Sequence, residues 1–231
     1  LSGCCVAAVS STRSEFAASR GWLGGEPAFT LGLHTWKPGL GRHVHVHALG
    51  AGGALTAAGE WVSPKPGFLF PEKALSAVFR GKFIAAIDEE RANARLREDA
   101  ALTNTAWRQL KRQLYVHDWV LYAKQPLGGP AQVLEYLGRY THRVAISNER
   151  IVAIGQAEVA FRVRVNGEGG GKKRTLRVPG AEFIARFVQH VLPRGFKRIR
   201  HYGLLGAAHK SAHLAAARSA LDAPQPQAAV I

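Results

Sequence analysis

The sequence predicts a mixed α+β protein, and three observations carry that class. Runs rich in β-branched and aromatic residues gather in two stretches, 29–62 and 144–179, where turn residues separate them at hairpin distances. Elsewhere apolar residues recur at helical spacing. With 231 residues, 47% of them hydrophobic, the chain is long enough to bury one good core, and no internal repeat or long linker demands a second.

Residues 1–27 are rich in Ala, Ser and Gly without a strong period, so they read as a poorly structured lead-in with room for one short helix. The folded domain is expected over 28–217. FTLGLHTW predicts a strand ending at Trp36, residues 37–42 a loop, and HVHVH a second strand completing a hairpin. The glycines at 50–53 read as a turn before another short extended segment near Glu60 and Trp61.

From Pro71, Leu75, Val78, Phe79, Ile84 and Ile87 line one side of a long amphipathic helix. Thr103 or Asn104 caps a second helix carrying Trp107, Leu110 and Leu114, and WVLYA reads as a strand. Pro130 suits the first turn of a third helix, AQVLEYLGRYTH. VAIS, RIVAI, EVAFRVRV and KRTLRVP form a meander broken at Asn148, Gly155 and NGEGGG. AEFIARFVQHVL gives another helix, RGFKRIRHYGLL a basic strand or loop, and His209 to Leu221 a last alanine-rich helix; 218–231 reads as a disordered tail.

Charge narrows the partner. There are 31 Lys and Arg against 16 Asp and Glu, and residues 106–210 alone hold 19 basic against six acidic side chains. So large an excess points to a polyanion. Cys4 and Cys5 are adjacent, which suits neither a structural disulfide nor a zinc knuckle and fits a reducing compartment. Nothing reads as a signal peptide or a membrane span, so a soluble, cytoplasmic protein is expected. The sequence has no methionine, not even at position 1, and reads as a truncated copy.

Two constellations carry chemistry. His43, His45 and His47 alternate with Val44 and Val46, so in a strand the three imidazoles share one face. Three imidazoles in register repel when protonated, unless a cation collects their lone pairs; the plainer alternative is a solvated strand edge. In the helix after Pro130, Tyr136 and Tyr140 stand four apart, with Arg139 and Arg143 on the adjacent face. Amphipathic packing would account for the tyrosines alone. Beside guanidinium groups, a phenol can instead attack a phosphodiester while arginines grip the flanking phosphates. A phenol with pKa of about 10 needs an activated electrophile, and a divalent cation on the histidines would supply one.

HTW at His34 to Trp36, HVHVH, GGPAQVLEYLGRYTHRVAISN from Gly128 to Asn148, and HVLPRGFKRIRHYGLL from His190 to Leu205 resemble the two-tyrosine, histidine-hydrophobic-histidine (HUH) transposases of rolling-circle insertion sequences. The resemblance implies an HUH-endonuclease-like antiparallel sheet, with metal histidines on a central strand and catalytic tyrosines on a flanking helix. It puts Tyr136 and Tyr140 as nucleophiles and His45 and His47 as the metal pair for Mg2+ or Mn2+. The implied reaction nicks single-stranded DNA at the ends of the element through a 5′-phosphotyrosine link. Pro38 stands where the family loop usually has glutamine, and Val44 where proline precedes the second histidine. The third ligand therefore stays open among His43, His34 and Glu60. The family's N-terminal cysteine-rich zinc region has no counterpart here.

The residues expected to track DNA phosphates are Arg139, Arg143, Lys172, Lys173, Arg174, Lys197, Arg198 and Arg200. Two alternatives stand beside the transposase: a remnant that binds single-stranded DNA without cleaving it, and a zinc hydrolase built on the histidine strand. The latter leaves the tyrosine pair and the basic half without a use.

Overall fold

The computed structural model describes residues 2–66, 69–95, 102–122, 126–141, 145–164, 173–191 and 194–224; the side chains of residues 139–141 are not among those described. Its elements run α1 (Ser2–Ala18), β1 (Glu26–Trp36), β2 (Arg42–Leu55), β3 (Trp61–Val62), α2 (Glu72–Ala92), α3 (Asn104–Val116), α4 (Pro130–Thr141), β4 (Ile151–Ile154), β5 (Glu158–Arg164), β6 (Lys173–Pro179), α5 (Gly180–Val188), β7 (Ile199–Gly203) and α6 (Lys210–Ala220). The class is mixed α+β, as expected, but with two sheets. One is four-stranded in the order β3-β2-β1-β7, and the other is the meander β4-β5-β6. The histidine strand β2 is an inner strand of the first.

The chain divides into two compact units. Unit 1 comprises residues 1–31, 48–127 and 200–231, and unit 2 comprises 32–47 and 128–199. In unit 1 the expected lead-in is instead the 17-residue helix α1, which packs on α2. Its buried residues are Cys4, Val6, Ala8, Thr12 and Ala17. Small and polar side chains at four-residue steps make a helix face that carries no hydrophobic period in the sequence, which is why the element was not legible. Cys4 joins Ile84, Ile87 and Trp107 in one core cluster, and Ala17 joins Leu23, Ala54 and Phe70 in another.

The expected turn at 50–53 is also absent, because β2 runs straight through those glycines to Leu55. They serve close packing. A Cβ on Gly50 would meet the Arg13 guanidinium at 1.9 Å, and one on Gly53 would meet the Trp61 ring at 2.4 Å. The chain turns later, where Thr56 N–H bonds Glu60 O at 2.9 Å around Gly59.

The helix α2 follows the predicted span, and α3 starts where Thr103 accepts a hydrogen bond from Ala106 N–H at 3.2 Å. Trp119 to Tyr122, the described part of the expected WVLYA strand, is not extended sheet: Trp119 stacks edge-on against Phe79 and Phe83, and its carbonyl accepts from Ser76 Oγ at 2.5 Å. A side chain committed to a helix surface takes that segment away from strand pairing.

In unit 2, β5 pairs with β4 and β6 in antiparallel register. Phe161, Val163, Val178, Phe183 and Leu40 form its core. The stretch expected as the strand VAIS is not one over 145–147, where Ala145 is buried with φ of 40° and breaks the extended path into a one-turn 3-10 helix at Asn148–Arg150. Residues 218–220 of the expected tail are instead the end of α6; residues 225–231 of it, and residues 165–172 between β5 and β6, lie outside the described residues. Among the described residues no helix is long and apolar enough to cross a membrane.

Candidate active site

The site is built on the β1–β2 hairpin, whose loop is held by three side chains from far along the sequence. Arg150 Nη2 donates to Pro38 O, Arg186 Nη1 to Gly39 O at 2.9 Å and His190 Nε2 to Leu40 O at 2.9 Å. A carbonyl only accepts, so His190 carries its proton on Nε2, and Nδ1 accepts from the Thr35 hydroxyl at 3.1 Å. His190 is fully buried, as is Leu40, whose φ of 61° is a strained backbone for leucine. Three donors on three successive carbonyls, with the Leu40 side chain in the core, hold that turn in one conformation. The relation between the last residues of β1 and the first of β2 is fixed with it.

That relation brings histidines together. His34 and Trp36, two apart on β1, share a face, and their rings stack at 4.7 Å and 17°. His34 lies 4.5 Å, centroid to centroid, from His47 and 5.3 Å from His45, while His45 and His47 are 4.9 Å apart. One ligand atom from each of His34, His45 and His47 falls within 4.8 Å of the others. Of the three candidates for the third ligand, His34 is the one gathered here. His43 is exposed and outside this group, its ring 4.8 Å from that of His45, and Glu60 belongs to unit 1.

The environment favours the neutral form of two of these imidazoles, His34 and His45. Burial, then the nearby His47, His45 and Arg198, push the His34 pKa down to about 3. His45 is also lowered, by burial first and by His43; its hydrogen bond to the His43 carbonyl opposes the shift. That bond, 3.1 Å from Nδ1, puts the His45 proton on Nδ1 and leaves the Nε2 lone pair available. Neutral nitrogen donors on adjacent strands fit one cation. With no carboxylate among the three, the set suits a transition ion better than Mg2+, which takes oxygen ligands.

Tyr136 on α4 reaches this cluster: its hydroxyl lies 3.1 Å from His47 Nδ1. Tyr140 and Arg139 stand further along α4, with side chains outside those described, and Arg143 and Lys172 lie outside the described residues altogether. Lys173 and Arg174 are exposed on β6, and Lys197 is exposed before β7. Arg198 is half-buried with its guanidinium 5.7 Å over the Trp36 ring, and Arg200 lies on β7 in unit 1. Sequence reasoning missed Arg150, Arg186, His190 and the stacking role of Trp36. The single available signal was the two-residue spacing in HTW.

The family model described as "Putative transposase", of the Y2 type, matches residues 28–212. The chain belongs to this transposase family. It is also 40% identical over 224 residues to "Putative transposase y4qJ" of Sinorhizobium fredii, a match covering 95% of this chain and 56% of the relative. The chain thus spans about half the length of that curated transposase. No solved structure gives a significant match.

Proposed function

We propose that the chain is the catalytic part of a DNA transposase that nicks and transfers single-stranded DNA by tyrosine attack. The observation that carries this reading is the hydrogen-bond reach between Tyr136 and His47, a member of the three-histidine cluster. Nucleophile and candidate metal ligand sit side by side, as an attack on a polarised phosphate requires.

His34, His45 and His47 would hold the divalent cation, Mn2+ in preference to Mg2+ on the donor set. When bound, it would withdraw charge from a nonbridging oxygen of the scissile phosphate. Tyr136 forms the new O–P bond and gives up its phenolic proton, while the bond from phosphorus to the 3′ oxygen breaks and that oxygen takes a proton. The product is a 5′-phosphotyrosine link and a free 3′ hydroxyl. His47 orients the phenol through its hydrogen bond. Tyr140, one helical turn further, is the second nucleophile for strand transfer. Arg139, Arg143, Lys172, Lys173, Arg174, Lys197, Arg198 and Arg200 are proposed phosphate contacts. Arg198, held over Trp36, stands close enough to His34 to help lower its pKa.

The test is a labelled single-stranded oligonucleotide carrying an element end, incubated with the protein and Mn2+. A protein-DNA adduct that survives a denaturing gel is expected. It should vanish in the Tyr136→Phe, Tyr140→Phe double variant. DNA binding with no adduct on any element end would favour the remnant that binds without cleaving.

A further inference from the structure

We propose that the outer face of the β5–β6 hairpin is a docking surface for the phosphate backbone of nucleic acid, using Arg162, Arg164 and Lys173. This inference rests on the reading of the chain as a DNA-processing protein and assigns a surface to part of that work. Val159, Phe161 and Val163 of β5 are buried in the unit 2 core, so the alternating Arg162 and Arg164 face outward, and both are exposed. Antiparallel register sets Arg164 directly opposite Lys173 and Arg162 opposite Thr175; Lys173 and Thr175 are exposed as well.

A cation facing a cation across two strands is unfavourable, the reverse of the opposite-charge pairs that stabilise sheets. The same face shows what a balanced pair looks like: Arg177 donates to Glu158 at 2.6 Å. Among the described residues, Arg162, Arg164 and Lys173 form no such ion pair. Three outward cations kept together at the base of a hairpin, two of them opposed, form a concentrated positive site that a polyanion neutralises.

The chemistry of the face also says how the anion is read. Its outward residues at these positions are Arg, Lys and Thr, with no aromatic ring on which a base could stack. The face therefore offers no stacking platform for bases, and the phosphate contacts themselves carry no sequence information. Arg162 and Arg164 extend the contact on to β5, beside Lys173 and Arg174 of β6.

The experiment compares the full chain with the triple variant Arg162→Gln, Arg164→Gln, Lys173→Gln. Affinity for one sequence, as single strand and as duplex, is measured across a salt series. The slope of log K against log salt should flatten by about 2 for the single strand and about 3 for the duplex. Flattening for one form alone identifies which of the two the surface takes. Arg164→Lys should keep the parental slope. The thermal midpoint of the triple variant should be equal or higher, because the opposed cations are gone. Unchanged slopes on both forms would overturn the surface even if the tyrosine adduct is seen. Flattened slopes with no adduct would leave the surface standing while the catalytic reading fails.

Discussion

Unit 2 contains two hairpins that use the same backbone geometry for opposite electrostatic ends. The β1–β2 hairpin withdraws positive charge: burial and mutual proximity hold His34 and His45 neutral, so the strands present lone pairs. The β5–β6 hairpin keeps its positive charge outside, with Arg162, Arg164 and Lys173 exposed around a core-facing row of Val159, Phe161 and Val163. The first is suited to a cation and the second, as proposed, to an anion. What separates them is burial. An imidazole within a packed ring cluster loses its proton, whereas a guanidinium on an open strand face never does.

The largest effect expected is at the first hairpin. His45→Ala with His47→Ala should abolish tight Mn2+ binding, measured by isothermal titration calorimetry. His34→Ala should weaken it by at least about 100-fold, whereas His43→Ala should leave it within a few-fold, since His43 stands outside the group. A His43 variant as damaging as the His34 variant would break the assignment of the third ligand.

Next in size is the turn that registers the two strands. His190→Ala removes a fully buried ring with two hydrogen bonds and should cost about 2–4 kcal/mol in denaturant unfolding. Where folded, it should also lose about 10-fold in metal affinity, through misplacement of His34. Arg186→Ala removes a half-buried guanidinium and its bond to the Gly39 carbonyl and should cost about 1 kcal/mol. Metal affinity untouched by both would mean that the hairpin holds its register without the clamps.

These clamps show where sequence reading stops. HVHVH was legible because alternation along one strand is a local pattern, and α2, α3 and α4 were legible from caps and spacing. The third ligand was not, since choosing His34 over His43 needs the cross-strand register. The donors to Pro38, Gly39 and Leu40 lie 112, 147 and 150 residues from the residues they hold, with no periodicity to announce them. The helix α1 escaped for a different reason, its buried face being Cys, Ala, Thr and a single Val rather than a row of Leu or Ile.

The smallest effect is the pH response of the first hairpin in metal-free buffer. His34 has a folded pKa of about 3, below the ordinary imidazole value of 6.5, so the unfolded chain binds the proton more readily. The stabilising contribution is complete above about pH 6.5 and fades as pH falls toward 3. Thermal midpoints of wild type should therefore drop more steeply between pH 6.5 and 4 than those of His34→Gln. Equal slopes would contradict a neutral, buried His34.

The direct test of one shared site is to map the DNA-linked peptide. A trapped adduct made with Mn2+ and an element-end strand is digested with trypsin, whose cuts after Lys124, Arg139 and Arg143 place Tyr136 in peptide 125–139 and Tyr140 in peptide 140–143. Because the Tyr136 hydroxyl lies within hydrogen-bond reach of His47, the first-cleavage nucleotide mass is expected on 125–139. Its appearance on 140–143 alone, or on neither, would contradict the pairing of Tyr136 with the histidine cluster.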